Sequence, residues 1–191
     1  MRCTVGVLLL SSLWLFQSCD LFQTRDPERP TRSNSTFNPP VRPEIVVSNL
    51  KASISEFNVD NYIHCFTDTT VRHYEFVPSQ EARARFPSEF SQWNLESERR
   101  YFLNLGPPLG GTPFLDDTIR HQNITSDSVI YEMDCTFSFP HRRSSVPQIV
   151  IGKMHLYLAT DPQGRWSIYR WQDFKTVSDS TWSYLKAIFN S

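Results

Sequence analysis

The stretch that decides the fold runs from Ile149 to Asp173 and reads IVIGKMHLYLAT, then DPQG, then RWSIYRWQD. Two runs rich in β-branched and aromatic residues flank four turn formers, which is the pattern of a β-hairpin. Pro162 suits the fixed φ of a turn position, and Gly164 closes the turn. Because an isolated hairpin is not stable in water, the pattern predicts further strands or a helix against its apolar face.

Alternation along the hairpin divides its side chains between two faces, since successive residues of a strand point to opposite sides. In the second strand Trp166 and Ile168 share a face, but Trp171 lies an odd step further along. Either Trp171 points to the opposite side, or a bulge near Tyr169 and Arg170 turns it inward. The apolar face of the first strand carries Met154, Leu156 and Leu158.

Upstream and downstream patterns supply the elements that the hairpin needs. Helical spacing and strand alternation give the following prediction in chain order: one broken helix or two over 43–68, a strand over 71–77, loop or a frayed turn over 80–86, a helix over 88–105, strands over 114–123 and 128–139, and a short helix over 181–190. Helices followed by a run of strands predict an α+β domain, with helices laid on one face of a curved antiparallel sheet.

The beginning of the chain has the pattern of a targeting segment. Arg2 precedes an apolar run over residues 5–16, which is about a dozen residues and too short to span a bilayer. The run ends in Phe16-Gln17-Ser18-Cys19, which resembles the lipobox of bacterial lipoproteins. The resemblance implies a signal peptide over residues 1–18, acyl chains such as palmitate on Cys19, and a lipid anchor in a membrane of the bacterial cell envelope, outside the cytoplasm. An ordinary secretory signal is the alternative.

Residues 19–42 are predicted to form a disordered tether between the anchor and a folded domain over residues 43–191. The segment holds four prolines, scattered charges and few apolar side chains. Such a composition cannot bury enough apolar surface to offset the entropy lost on ordering. A proline-rich chain is extended, so the tether would hold the domain away from the membrane surface.

Charge and cysteine content limit the function classes. Nineteen basic and 20 acidic residues give a formal net charge of −1, which predicts no nucleic-acid partner. If Cys3 leaves with the signal and Cys19 carries lipid, Cys65 and Cys135 remain. They either pair in an oxidising compartment or stay as two separate buried thiols. The five histidines are scattered without metal-ligand spacing, so no metal and no other cofactor is predicted.

Short sequence fragments across residues 43–175 point to one superfamily. The fragments are Asn49-Leu50 with Ala52, residues 58–66, Trp93 and Glu98 before Phe102, and the closing Gly164-x-Trp166-x-Ile168-x-x-Trp171-x-Asp173. They resemble the nuclear-transport-factor-2-like, or SnoaL-like, superfamily. The resemblance implies a cystatin-like cone in which a curved antiparallel sheet wraps around N-terminal helices and a central pocket. That superfamily includes isomerases, dehydratases, small-molecule binders and protein-association modules, so the resemblance selects no function.

The candidate chemistry inside such a cone is sparse. His64, Asp68 and His73 lie in one local stretch, where a His–Asp contact could tune a proton donor near neutral pH. A capped helix end with surface histidines is the alternative. Six aromatic residues either line an apolar pocket or fill the cone: Tyr62, Tyr74, Trp93, Tyr101, Trp166 and Trp171.

Two functions follow from these observations. The first is a non-catalytic envelope lipoprotein whose domain binds a small apolar ligand or another envelope protein. The alternative is a lyase or isomerase of small molecules that uses a His/Asp pair in the pocket of the cone. The sequence leaves a homodimer open in either case.

Overall fold

A computed structural model describes residues 36–190. The predicted signal peptide, the predicted lipid site at Cys19 and most of the predicted tether lie outside the described residues. The elements are α1 (Pro43–Ser55), α2 (Val59–His64), β1 (Glu75–Val77), α3 (Gln80–Arg85), α4 (Pro87–Phe90), α5 (Leu95–Asn104), β2 (Phe114–Ile124), β3 (Ser128–Ser138), β4 (Ile149–Thr160), β5 (Trp166–Lys175) and α6 (Trp182–Asn190).

Five strands form one curved sheet in the order β1-β5-β4-β3-β2, and the helices pack against it. The α+β architecture predicted from the sequence is therefore confirmed. One detail was wrong, because β1 runs parallel to β5 while all the other pairs are antiparallel. The first strand is also shorter than the predicted 71–77, since the amides of Val71 and Arg72 bond to the carbonyl of Asp68 and hold a turn there.

The central hairpin of β4 and β5 has the predicted faces. Tyr157 pairs with Arg170, but the next residue, Leu158, pairs with Ile168, so Tyr169 is the extra residue of a β-bulge. The bulge returns Trp171 to the apolar face, where the side chain is fully buried. The bulge interpretation is thus confirmed. The buried apolar face of β4 carries Met154, Leu156 and Leu158.

Polar caps divide the helices more finely than their apolar spacing indicates. Asn58 accepts a bond from the amide of Asn61 at 3.0 Å and begins α2, so the helical region after Pro43 consists of two helices. The single helix predicted over 88–105 was wrong: Asn94 accepts bonds from two amides and begins α5 separately from α4. Ser79 caps α3, where a loop or a frayed turn was expected.

The stretch before α1 lies against the domain. The side chain of Asn49 accepts a bond from the backbone amide of Asn38 at 2.9 Å and donates to its carbonyl at 2.8 Å. The amide of Trp166 donates to the carbonyl of Pro40 at 2.7 Å. These bonds satisfy the buried side chain of Asn49 and the backbone amide at the start of β5. Residues 36–42, which were predicted to belong to the tether, are therefore attached to the folded domain.

The two remaining cysteines are free thiols. Cys65 and Cys135 are both buried, and neither forms a disulfide. Burial raises the pKa of Cys65, and it raises that of Cys135 to about 12. The structure therefore confirms the interpretation as separate buried thiols over the paired one. Within residues 36–190, no helix combines the length and apolarity needed to cross a membrane.

Candidate functional site

The interior of the cone contains a carboxylate that is fully buried, Glu98 of α5. Its Oε2 accepts a bond from the Tyr62 hydroxyl at 2.9 Å. Its Oε1 accepts bonds from the Tyr74 hydroxyl at 2.7 Å, the Trp93 indole N–H at 2.8 Å and the Lys186 ammonium at 2.5 Å. Four donors thus converge on one carboxylate, which is how a protein satisfies a charge that has been removed from water.

Lys186 enters this interior from α6 at the other end of the chain. Its ammonium lies 3.8 Å from the ring centre of Phe76 and 4.0 Å from a ring centre of Trp171, and its side chain is fully buried. Both distances are well within the range of a cation–π interaction. Burial lowers the pKa of Lys186, while the Glu98 carboxylate opposes this shift.

Further contacts of α6 close the same interior. The Trp182 indole stacks on Phe137, with ring centres 4.2 Å apart, and its N–H donates to the Tyr101 hydroxyl at 2.8 Å.

Burial, with a contribution from Glu98, raises the pKa of Tyr62 and Tyr74 well above the usual value for a phenol. These hydroxyls therefore act as hydrogen-bond donors and not as proton carriers near neutral pH.

A second buried carboxylate, Asp173 of β5, anchors the start of α6. Its Oδ2 accepts bonds from the Ser183 amide at 2.7 Å and the Ser183 hydroxyl at 2.5 Å. Burial raises the pKa of Asp173 even though the Ser183 bonds oppose the shift. The folded state therefore favours the protonated form of Asp173 more than the unfolded state does.

The raised pKa of Asp173 predicts a distinctive pH dependence of stability. A folded-state pKa above the unfolded value means that the folded state binds the proton more tightly, so this contribution is complete below the ordinary pKa of 3.8 and is lost as pH rises through the folded pKa. We therefore expect Asp173→Asn to lose stability relative to the wild type as the pH is lowered from 7 toward 4. Urea unfolding at a series of pH values measures the difference.

Asp68→Asn is the matched control, because hydrogen bonds from the Thr70 amide and hydroxyl lower the pKa of this exposed carboxyl. The sign is then reversed: the curves of this variant and the wild type should run parallel from pH 7 to 4, and the variant should gain on the wild type as the pH falls below the ordinary value of 3.8. Parallel pH curves for wild type and Asp173→Asn would show that Asp173 has the same pKa in both states.

Two open grooves lie on the surface of the domain. The larger one, which we call the His73 groove, has a volume of about 620 Å³ and is lined by residues that include His73, Tyr74, Phe76, Arg83, Phe90 and Trp93. The smaller one, the His64 groove, has a volume of about 460 Å³. Its lining includes the apolar Phe37, Ile63, Phe66, Val71, Leu95 and Trp166 and the polar His64, Asp68, Asp161 and Arg165.

The three residues singled out as catalytic candidates do not meet in one place. His64 and Asp68 line the smaller groove, whereas His73 lines the larger one. Both histidines are exposed, and Asp68 forms a local turn with Thr70. Among residues 36–190, no three His, Cys, Asp or Glu side chains are grouped so that they could hold a metal ion.

The six aromatic candidates are divided between the interior and the surface. Trp166 lines the His64 groove, and the other five surround the Glu98–Lys186 pair: Tyr62, Tyr74, Trp93, Tyr101 and Trp171. Of these five, Tyr74 and Trp93 also line the His73 groove. Lys186 was missed by the sequence reasoning. A signal was present, because Lys186 stands four residues after Trp182 and three before Phe189, on the apolar stripe of the last helix.

Comparisons with known proteins identify the fold. No family model matches the sequence, and no curated protein sequence matches it. Among solved structures, the chain is similar to a candidate scytalone dehydratase from Novosphingobium aromaticivorans, with a TM-score of 0.55, 9% identity, and coverage of 72% of this chain and 83% of that one. It is also similar to a conserved protein from Planctomyces limnophilus, with a TM-score of 0.53, 10% identity, and coverage of 69% and 91%.

A third similar structure is a protein of unknown function from Nostoc punctiforme that is described as having a cystatin-like fold; its TM-score is 0.47, with 11% identity and coverage of 70% of this chain and 87% of that one. At such identities the likeness to the two structures with TM-scores above 0.5 shows the fold and no activity. The prediction of an α+β domain with a curved sheet and helices packed against it is confirmed at that level.

Proposed function

We propose that this protein is a lipid-anchored protein of the bacterial cell envelope, whose cone-shaped domain is a non-catalytic binding module. The anchor rests on the lipobox-like sequence ending at Cys19. The binding role rests on one observation, namely that the interior of the cone is filled by the chain itself. Glu98 is fully buried and has four donors, one of which comes from α6.

An interior that is filled by the chain's own side chains is incompatible with the isomerase or dehydratase chemistry of other proteins with this fold. A general acid or base must come within hydrogen-bond reach of the substrate atom that exchanges the proton. Here the buried acid is already bonded to Tyr62, Tyr74, Trp93 and Lys186. While α6 is docked and Lys186 occupies the interior, binding by this domain therefore takes place at its surface.

The His64 groove is the surface that suits an apolar partner best. Its exposed lining is more apolar than polar, and Val71 at its edge is 47% exposed. Apolar surface that remains accessible beside a few polar groups is typical of binding sites. Phe37 and Pro40, which belong to the sequence predicted as the tether, line part of the groove. We propose that the groove takes an apolar ligand or the apolar side chains of another envelope protein.

The alternative function, a lyase or isomerase, would use the same groove through His64 and Asp68. The geometry favours it less. Hydrogen bonds from Thr70 keep the pKa of Asp68 below its ordinary value, so this carboxylate cannot donate a proton near neutral pH and is a weaker base than an unbonded aspartate. The third candidate, His73, lies in the other groove.

Substituting Val71 tests the groove in the full-length protein purified from its own membrane. We expect native mass spectrometry to show acyl mass at residue 19 and a co-purifying molecule that Val71→Asp loses, because a buried carboxylate in an apolar contact is strongly unfavourable. The matched control is Val177→Asp, since Val177 is 96% exposed and lies outside the groove. Retention of the bound mass by Val71→Asp, or its absence from every sample, would contradict the groove proposal, and a residue 19 without acyl mass would contradict the anchor.

A further inference from the structure

The surroundings of Lys186 have the composition of a receptor for an ammonium group. One carboxylate oxygen of Glu98 lies 2.5 Å from the ammonium nitrogen, and the ring faces of Phe76 and Trp171 lie 3.8 and 4.0 Å from it. A carboxylate together with two aromatic faces is the arrangement that proteins use to bind organic cations. The Tyr62 and Tyr74 hydroxyls bond to the same carboxylate and fix its orientation.

Stability alone does not account for this arrangement. A buried ion pair is replaced by well-packed apolar residues with no loss of stability in many proteins, because both charges must be removed from water. Position 186 lies between Leu185 and Ala187, which are both buried, in a helix whose other buried residues are apolar except for Ser183. A leucine or methionine would suit such a face. The positive charge of Lys186 is therefore explained by the carboxylate and the aromatic rings around it, and not by the apolar packing of α6.

The occupant of the receptor lies on α6, which is not a strand of the sheet. Helix α6 follows residues 175–179, which are all exposed. Withdrawal of α6 would remove Lys186, whereas Glu98, Phe76 and Trp171 belong to α5, β1 and β5. The receptor groups therefore stay on the remaining domain when its occupant departs.

We infer that the interior of the cone is a binding site for a primary ammonium group on an unbranched alkyl chain, and that Lys186 is its tethered, self-inhibiting occupant. An external alkylammonium ligand would bind when α6 withdraws. This inference goes beyond the surface groove proposed above and does not depend on it. Because Lys186 belongs to the same chain as the receptor, its effective concentration there is in the millimolar range or higher. An external ligand can therefore bind only the minor open form, in which α6 is withdrawn.

Removal of the lysine side chain tests the receptor directly. Lys186→Ala deletes the three outer methylenes and the ammonium, and n-propylammonium has this same composition. We expect n-propylammonium chloride to raise the melting temperature of the full-length variant by roughly 3–10 °C at 10 to 100 times Kd, because a ligand that binds only the folded state stabilises it. If the variant is unfolded without ligand, the same salt should restore its folded circular-dichroism spectrum.

The controls separate recognition of the ammonium from general salt effects. Sodium chloride, tetramethylammonium chloride and 1-propanol should not reproduce the stabilisation, since none presents a primary ammonium on an alkyl chain. The double variant Glu98→Gln/Lys186→Ala should not respond, because the carboxylate is gone. An equal response to sodium chloride, an equal response of the double variant, or no response of Lys186→Ala overturns the receptor.

Hydrogen exchange in the wild-type protein tests displacement of the natural occupant. A ligand that binds the open form raises the population of that form by the factor 1 + [L]/Kd. As the concentration of n-propylammonium is raised, we therefore expect amides of α6 to exchange faster in proportion to 1 + [L]/Kd, where Kd is that of the open form, while those of β3 and β4 are unchanged. Unchanged exchange of α6 would overturn the claim that an external ammonium replaces Lys186.

Discussion

Replacing Glu98 with glutamine is expected to lower the free energy of unfolding by about 3–5 kcal/mol, because a buried ammonium loses its counter-charge. The substitution keeps the size of the side chain. If the amide oxygen takes the place of Oε1, it accepts the bonds from Tyr74 and Trp93, and the amide NH2 then faces the Tyr62 hydroxyl, which can accept a bond instead of donating one. What it removes is the negative charge 2.5 Å from the Lys186 ammonium. Neither side chain of the pair is exposed, so water cannot compensate for the loss.

A double-mutant cycle separates this charge effect from packing. Lys186→Met in the Glu98→Gln background removes the uncompensated ammonium and retains an unbranched side chain in the aromatic surroundings. We therefore expect the double variant to recover at least about 2 kcal/mol relative to Glu98→Gln alone, since neutral replacement of a buried pair is well tolerated. Urea unfolding of the wild type, the two single variants and the double variant gives all four free energies.

Glu96→Gln is the matched control for the same helix. Glu96 is exposed and lies two residues before Glu98, so its substitution should change the free energy of unfolding by less than about 0.5 kcal/mol. If Glu98→Gln costs as little as Glu96→Gln, the Glu98–Lys186 pair does not stabilise the closed interior. If the double variant is worse than the sum of both single variants, the charges are not coupled as described.

The part of the fold that could be predicted is the part encoded locally. Period-2 alternation and a proline–glycine turn indicated the hairpin of β4 and β5. The odd spacing of Trp171 left two alternatives, a side chain on the opposite face or a bulge near Tyr169 and Arg170, and the structure shows the bulge at Tyr169. Helix starts were less predictable, because the caps at Ser79 and Asn94 depend on single polar residues inside apolar patterns. The parallel pairing of β1 depends on which edge of the sheet it reaches, and a three-residue strand carries no signal for that.

The site could not be predicted in the same way, because its groups are far apart in the sequence. Glu98 belongs to a recognisable fragment, but its ammonium partner is 88 residues away. A lysine on an apolar stripe indicates a buried charge, but it does not identify the acidic residue that pairs with it. His64, Asp68 and His73 show the converse, because they are close in the sequence but do not lie together in the structure. The fold places His73 in a different groove from His64 and Asp68.

Replacing Trp182 with alanine is expected to cost about 3–5 kcal/mol and to loosen α6 selectively. The indole stacks on Phe137 with ring centres 4.2 Å apart, meets Trp171 edge-on at 4.5 Å and donates to the Tyr101 hydroxyl at 2.8 Å. Alanine therefore leaves a cavity and a buried hydroxyl that has lost its donor.

The measurement is urea unfolding together with hydrogen exchange of α6, and Trp182→Phe supplies the comparison that retains a ring but lacks the indole N–H. We expect the phenylalanine variant to recover part of the stability and the exposed-site control Val177→Ala to remain within about 0.5 kcal/mol of the wild type. Because Trp182 and Lys186 are one helical turn apart, loss of the indole should also weaken the hold on the ammonium, so α6 amides should exchange faster by a larger factor than those of β3. Uniform acceleration across all elements would mean that α6 does not open separately from the sheet, and α6 would then be part of one cooperative core with the sheet.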